Sequence, residues 1–347
     1  MTVNSKPTYQ VLEGWEQLPS GFEHKDVSDV AVDSYDRVYL LTRSEPRVIV
    51  YSRDGRFLRS WGEGTFSARP HGITIGPDDA VYIVDEGNNS VRRYSTDGAL
   101  ELEIGPDGRA SDTGVDHSIG HLYERIDSIR RAAGPYNKPT KVGVAPNGDL
   151  YVSDGYGNAR VHHFDAQGKL LGSWGEPGAG PGQFHLPHSV AVAPDGHVLV
   201  ADRENGRVQI FTPAGEFVTE WKGFHRPAGL CLRDGMVYVT ELSRRPGYMS
   251  WASPKIGKLD PARVTVLDLA GNILARWGGE PSCAPTNFAA PHGVAVDSLG
   301  DVYVAEVTFS DLVSHGLARD NCHTFLKLER VPRDSVASVD VDMPLQR

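Results

Sequence analysis

Hydrophobic and polar positions alternate along most of this chain in short runs, and the runs recur in six segments of one plan. Each segment has an apolar opening, a polar turn rich in Asp and Gly, a Tyr-Val or Leu-Val run, a polar loop and a further apolar run. Apolar residues at every second position are typical of β-strands. The segments begin at Ser28, His71, Thr140, His188, Ala228 and His292.

The turns and strand ends indicate what the six segments build together. Asp-Gly or Asn-Gly pairs, such as Asp97–Gly98 and Asn147–Gly148, favour hairpin turns because glycine readily takes a positive φ. Repeats of roughly 35–65 residues, each about four strands long, are typical of a β-propeller. We therefore predict an all-β, six-bladed β-propeller over residues 9–330. The N-terminal TYQVLEGW stretch is expected to supply the outer strand of the last blade and so close the ring.

Two insertions interrupt the period. Residues 105–138 separate the second and third repeats, and the string HSIGHLYERIDSIRRAA within them predicts a helix that stops at Gly134–Pro135. Residues 243–262 lengthen the fifth repeat. Residues 331–347 carry little pattern and are expected to form a loose C-terminal extension.

Composition and charge narrow the class of protein. No run of apolar residues is long enough for a transmembrane helix, and the start MTVNSKPTYQ lacks the apolar core of a signal peptide. Three cysteines are a sparse and odd set, which favours a reducing compartment. We therefore expect a cytoplasmic protein. A net charge of −10 without a basic cluster makes nucleic acid and anionic membranes poor partners.

Three histidines stand at one position of the repeat. His71, His188 and His292 each follow a proline and open the innermost strands of repeats two, four and six. Alternate blades of a six-bladed ring are about 120° apart, so the three imidazoles can converge near the axis. A single histidine after proline would be interpreted as a turn residue. Three at one position predict a divalent metal site, and three histidines with an open position suit catalytic zinc.

A tyrosine and two arginines are expected beside this metal. The loop 154–160, DGYGNAR, has one residue more than its counterpart in repeat four, and the extra residue would push Tyr156 toward the channel. Arg43 and Arg203 take equivalent places in repeats one and four. A phenol near a dication and an arginine loses its proton more readily than in water, so Tyr156 is a candidate general base.

The repeats resemble NHL repeats. Three strings, DGYGNAR at 154–160, LPHSVAV at 186–192 and VADRENGRVQIF at 200–211, are similar to the lyase domain of peptidylglycine α-amidating enzymes, the peptidyl-α-hydroxyglycine α-amidating lyases. The resemblance covers residues 26–329. It implies zinc held by three histidines, a tyrosine base, and arginines that support the base and the substrate carboxylate. The matching residues are His71, His188, His292, Tyr156, Arg43 and Arg203.

The chain also departs from that family. Gly157 stands where the vertebrate members have a disulfide-bonded cysteine, and Gly293 stands where they have an acidic residue that helps to hold a calcium ion. Asp29, at the neighbouring position of blade one, is the carboxylate that could replace the missing acid. Because no copper monooxygenase domain accompanies the repeats, a small-molecule substrate that carries a carboxylate is expected rather than a peptide hormone.

The hypothesis at this point is a zinc-dependent lyase that cleaves the C–N bond of an α-hydroxyglycine-like carbinolamide or hemiaminal. The products would be an amide or amine and glyoxylate or a related carbonyl compound. Two alternatives remain open: a metal-dependent hydrolase of the lactonase or esterase type on the same propeller, and an NHL scaffold that binds without catalysis.

Overall fold

Six four-stranded antiparallel sheets build this protein, which is described here by a computed structural model covering residues 8–105, 108–247 and 256–331. The innermost strands contact one another in a closed cycle, so the sheets are the blades of a propeller. This confirms the all-β, six-bladed architecture. The predicted extension 331–347 lies outside the described residues except for Val331, and residues 248–255 of the second insertion lie outside them as well.

Each blade runs from the axis outward in chain order. The strands of blades one to three are Val27–Val32, Val38–Thr42, Val48–Tyr51, Phe57–Trp61; Pro70–Ile75, Val81–Asp85, Ser90–Tyr94, Leu100–Glu103; Pro139–Val144, Leu150–Asp154, Arg160–Phe164 and Leu170–Trp174. The strands of blades four and five are Pro187–Val192, Val198–Asp202, Arg207–Phe211, Phe217–Lys222; Pro227–Arg233, Met236–Glu241, Ala262–Asp268 and Ile273–Gly279. A two-residue parallel pair, Glu176–Pro177 with Gln183–Phe184, lies between blades three and four.

The sixth blade closes the ring with strands from both ends of the described chain. Pro291–Val296, Val302–Glu306 and Phe325–Arg330 are joined at the outer edge by Tyr9–Val11, which pairs antiparallel with Phe325–Arg330. This is the closure expected for the TYQVLEGW stretch. Ring closure pairs the edges that an open sheet would leave exposed.

The hydrophobic core lies between the blades. Each pair of neighbouring blades encloses one cluster of buried apolar side chains, for example Leu41 and Val50 of blade one against Ile73 and Ile83 of blade two. The aromatic ends of the outer strands contribute to these layers. A Cβ on Gly98, which has a φ of +87°, would lie 2.6 Å from the Trp61 ring, so this hairpin requires glycine both for its conformation and for its packing.

Helix is scarce among the described residues, and the first insertion differs from the prediction. Helix α1 spans only Leu122–Asp127. It ends early because Arg130 and Arg131 both donate their backbone N–H to Thr113 O, at 3.0 and 3.2 Å, and so leave the helical pattern. The rest of 108–138 is loop and turn. Helix α2, Thr308–Asp311, and a short 3₁₀ turn, Val313–His315, extend blade six. No helix among the described residues is long and apolar enough to cross a membrane.

Two of the three cysteines are joined. Cys283 and Cys322 form a disulfide across 39 residues of sequence, and Cys231 is a free thiol. The sparse, odd number of cysteines therefore does not exclude a disulfide. Spacing alone could not reveal this pair, because the two residues meet only when blade six folds. Since disulfides persist mainly in oxidising compartments, the cysteine content no longer supports a cytoplasmic location.

Candidate metal centre

The three predicted histidines meet at the axis. Their side chains are buried, and their ligand atoms all lie within 4.8 Å of one another. The ring centroids of His71, His188 and His292 are 4.7 to 4.9 Å apart, and no two rings are coplanar. Three imidazoles this close, without an acidic residue in the group, are the donor set that zinc accepts in catalytic sites.

A β-bulge in each blade turns these side chains toward the axis. In blade two Pro70 pairs with Asp85 and Gly72 with Val84, which leaves His71 as the extra residue of the inner strand. The same register shift occurs in the other blades that carry a histidine. A bulge redirects a side chain out of the ordinary strand alternation. The repeated position is therefore a repeated bulge.

Each imidazole is held by a backbone carbonyl of the following blade. Nδ1 of His71 lies 2.7 Å from Thr140 O, that of His188 lies 2.8 Å from Ala228 O, and that of His292 lies 2.6 Å from Ser28 O. A carbonyl only accepts, so Nδ1 carries the hydrogen and donates it. Each Nε2 then keeps its lone pair for a metal ion.

Burial keeps the three ligands neutral. Burial lowers the pKa of His71 well below its usual value, and the positive charge of Arg43 lowers it further. Burial and then Arg203 have the same effect on the pKa of His188. Burial and then His71 lower the pKa of His292. Because a metal ion binds only the neutral imidazole, protons compete little for this site near neutral pH.

Tyr156 reaches the metal position, as its extra loop residue predicted. The loop 155–159 in blade three has one residue more than 203–206 in blade four. Its phenol oxygen lies 3.0 Å from His188 Nε2 and 3.3 Å from His71 Nε2. The side chain is 4% exposed and packs against Ile126, Ile129 and Leu186, so the first insertion supplies part of the wall around it.

The two predicted arginines occupy equivalent places but differ in their contacts. Arg203 donates from Nη1 to the Tyr156 oxygen at 3.2 Å, and its Nε donates to Glu204 at 2.8 Å. Its Nη2 is buried without a hydrogen-bond partner among the described residues. Arg43 instead donates to Asp26 at 3.3 Å and to Ser310 Oγ at 3.0 Å. The structure thus brings Arg203 to the phenol, whereas Arg43 acts on the histidines through its charge.

Two supporting residues were missed by the sequence analysis. Glu204 binds Arg203 and also accepts from Arg226 Nε at 3.2 Å. Burial opposes ionisation of Glu204, but Arg226 and Arg203 lower its pKa to about 2, so it remains a carboxylate that orients both cations. Arg69 pairs with Glu86 at 2.8 Å, and its charge also lowers the pKa of His71. The sequence could have pointed to Arg69, because it is the only charged residue among the three that directly precede a Pro-His pair.

The residues around Asp29, the carboxylate that could have served a calcium ion, do not fit a second metal ion. Asp29 is buried, but its carboxylate is bound by the ammonium group of Lys141 and by the backbone N–H groups of Val30 and Ile73, at 3.0 and 2.9 Å. Lys141 also donates to Ile73 O at 2.6 Å. The oxygens that a calcium ion would need already have a cation beside them.

The fold and the centre define a class: a six-bladed propeller with three convergent histidines at its axis. The NHL repeat family matches residues 68–94, 136–164, 184–211 and 288–308. NHL repeat-containing protein 3 of Mus musculus is 30% identical over 322 residues, which cover 87% of this chain and 82% of the relative. The chain belongs to the NHL-repeat proteins.

Amidating enzymes are also among its relatives. Peptidyl-glycine alpha-amidating monooxygenase B of Xenopus laevis is 32% identical over 270 residues, 75% of this chain and 27% of that protein. Peptidyl-alpha-hydroxyglycine alpha-amidating lyase 1 of Drosophila melanogaster is 29% identical over 268 residues, 73% of this chain and 45% of that protein. The chain therefore spans only part of these relatives.

Solved structures agree on the fold alone. A streptogramin B lyase has a TM-score of 0.56 at 13% identity and covers 93% of this chain and 98% of its own. A gluconolactonase from Xanthomonas campestris has a TM-score of 0.55 at 13% identity and covers 89% of this chain and 87% of its own. Since propellers this distant host different reactions, the choice among functions depends on the site.

Proposed function

We propose that this protein is a zinc-dependent lyase that cleaves the C–N bond of a small α-hydroxyglycine-type carbinolamide or hemiaminal. One observation carries the proposal: the Tyr156 oxygen lies 3.0 and 3.3 Å from two of the three convergent Nε2 atoms and 3.2 Å from Arg203. A proton acceptor next to an open metal position suits removal of a proton from a metal-bound hydroxyl group. The amidating relatives support the same chemistry.

The three histidines would hold the zinc ion through Nε2, which their Nδ1 contacts leave available. Zinc bound there would supply Lewis-acid polarisation of a substrate oxygen. Tyr156 takes the proton of the carbinol hydroxyl, the electron pair left on that oxygen forms the C=O double bond, and the C–N bond breaks with its electrons leaving on nitrogen. The departing nitrogen receives a proton, which returns through Tyr156. For R–CO–NH–CH(OH)–COO⁻ the products are R–CO–NH₂ and glyoxylate, so atoms and charge balance.

Arg203 would bind the substrate carboxylate. Its Nη1 contacts the phenol while its buried Nη2 has no hydrogen-bond partner among the described residues, so one guanidinium can serve the base and a carboxylate oxygen together. Arg43 forms an ion pair with Asp26 and would add positive charge to the pocket. The arginines thus place positive charge near the histidines, although the net charge of the whole chain is −10. Positive charge at the site favours an anionic small molecule as partner.

The test measures metal and product together. Purified protein should contain one zinc ion per chain and should release glyoxylate from an N-acyl-α-hydroxyglycine, whereas removal of zinc should abolish release. A simple lactone and an aryl ester serve as matched substrates for the rival hydrolase. Lactone or ester turnover without glyoxylate release would replace the lyase by the hydrolase. A protein with no bound metal and no turnover would be an NHL scaffold.

A further inference from the structure

The channel behind the histidines contains a lysine beside the carboxylate that could serve a calcium ion. Lys141 follows Thr140, whose carbonyl orients His71, so the lysine enters the channel one residue beyond the centre. Its ammonium group contacts the Asp29 carboxylate and donates to Ile73 O at 2.6 Å. A carboxylate and a main-chain carbonyl are the oxygen ligands that calcium takes in proteins. Here they surround an ammonium group instead.

The arrangement of Asp29 and Gly293 excludes an acidic side chain at the second of these positions. A Cβ on Gly293 would collide with the Asp29 carboxylate, and it would lie 2.8 Å from Asp29 Cα. An aspartate at 293 therefore cannot coexist with Asp29 in this backbone. The carboxylate of the channel comes from blade one, and the residue facing it on blade six is a glycine.

Burial makes a counter-cation necessary. Asp29 is 5% exposed, and the Lys141 side chain is 12% exposed. Burial raises the pKa of Asp29, and the Lys141 ammonium opposes that rise. A buried carboxylate that loses its partner must take up a proton, recruit another cation or destabilise the fold. The Lys141 ammonium thus supplies the positive charge that stabilises the buried Asp29 carboxylate.

The pair also separates two spaces along the channel. Asp29 and Lys141 line the small space behind the three histidines together with Thr140, Ser189 and Gly229. Lys141 in turn lines a cavity of about 230 Å³ beyond it, at the far ends of the inner strands. Lys141 is thus common to the linings of both spaces, and it is held there by its ion pair with Asp29.

We propose that the Lys141 ammonium takes the place of a calcium ion in the channel, so that this protein needs no calcium there. The inference rests on the Asp29, Lys141 and Ile73 contacts and is independent of the reaction catalysed. It can hold even if the protein proves to be a hydrolase.

The experiment titrates calcium-depleted, zinc-loaded protein with Ca²⁺ and follows heat of binding and melting temperature. The wild type should bind no Ca²⁺ and keep its melting temperature. Lys141→Ala should melt several degrees lower, should bind one Ca²⁺ and should recover part of the loss when Ca²⁺ is added. The double variant with Asp29→Asn should not respond to Ca²⁺, and Lys169→Ala, at an exposed lysine, should behave as wild type.

Either of two results would overturn the proposal. Stoichiometric Ca²⁺ binding by the wild type that depends on Asp29 would show that the lysine does not replace the ion. A folded Lys141→Ala that ignores Ca²⁺ would show that the oxygens around the ammonium group cannot hold one. If Lys141→Ala does not fold, Lys141→Met and the wild-type titration decide between the outcomes. A wild type that does not respond to Ca²⁺, together with a Met variant that has a lowered melting temperature, supports the proposal. Any other pair of results opposes it.

Discussion

Replacement of Tyr156 by phenylalanine removes a single oxygen from the centre and tests the proposed reaction most directly. A positioned general base contributes roughly 10²–10⁴-fold to a rate. At about 1.36 kcal/mol per tenfold change, Tyr156→Phe should raise the activation barrier by about 2.7–5.4 kcal/mol. The loss should appear in kcat at saturating substrate, because the hydroxyl acts on the reacting proton and Arg203 still binds the carboxylate.

The same substitution should spare the fold and the metal. The contacts of the phenol with His188 and His71 involve Nε2 atoms that zinc would occupy, so in the loaded protein only the 3.2 Å hydrogen bond from Arg203 is lost. A buried donor left without its partner costs about 1–3 kcal/mol. We expect a slightly lower melting temperature and unchanged zinc content.

The assay is glyoxylate release from an N-acyl-α-hydroxyglycine, with zinc measured on the same sample. Tyr136→Phe is the matched control, because its buried hydroxyl donates to Ile104 O at 2.9 Å and contacts none of His71, His188 and His292. It should lose a similar stability and no activity. Turnover of Tyr156→Phe close to that of the wild type, at full zinc occupancy, would refute the role of the phenol as base. Loss of zinc instead would make Tyr156 a metal-site residue.

Further predictions concern the metal, the substrate, the disulfide and pH. Alanine at any one of the three histidines should remove most of the bound zinc, measured by elemental analysis, whereas His162→Ala should not. Arg203→Lys keeps the charge but loses the planar fork, so KM for the carboxylate substrate should rise while zinc stays; an unchanged KM would oppose the carboxylate role. Cys283→Ser opens a loop of 39 residues and should cost about 4 kcal/mol in denaturant unfolding, and thiol titration of unreduced protein should find one thiol. Burial raises the pKa of Glu306 to about 8, so between about pH 4.5 and 8 the native state holds a proton that the unfolded state has released. The free energy of unfolding of the wild type should therefore fall as pH rises through this range, and Glu306→Gln should remove this contribution to the pH dependence.

The propeller and the ligands were predictable because both are repetitive. Alternation within each run indicates strands, and recurrence of the run indicates blades. Histidine in alternate repeats then points to one axis. The position of Tyr156 was predictable from loop length, because its loop has one residue more than the counterpart in repeat four and the extra residue displaces a side chain toward the channel.

The remaining features depend on contacts between residues far apart in the chain. The short helix α1 ends where Thr113 accepts two backbone N–H groups that a helix would have used. The disulfide joins residues that meet only when blade six is complete. Lys141 reaches Asp29 across blades three and one, and a lysine in a strand ordinarily indicates a solvent-exposed position. Residue types alone do not encode such pairings.

Alternate blades make different contributions to the centre. Blades two, four and six supply imidazoles, and blades three, five and one supply the carbonyls that orient them. Because the second group contributes main-chain carbonyls, its side chains can differ: Thr140 and Ser28 carry hydroxyl groups, and Ala228 has none. The bulge that turns each imidazole inward also occurs in these three blades. There the bulged residue contributes a backbone carbonyl instead of a side-chain ligand. The metal centre is thus a property of the whole ring, and substitutions that shift the register of any inner strand should disturb it as surely as loss of a histidine.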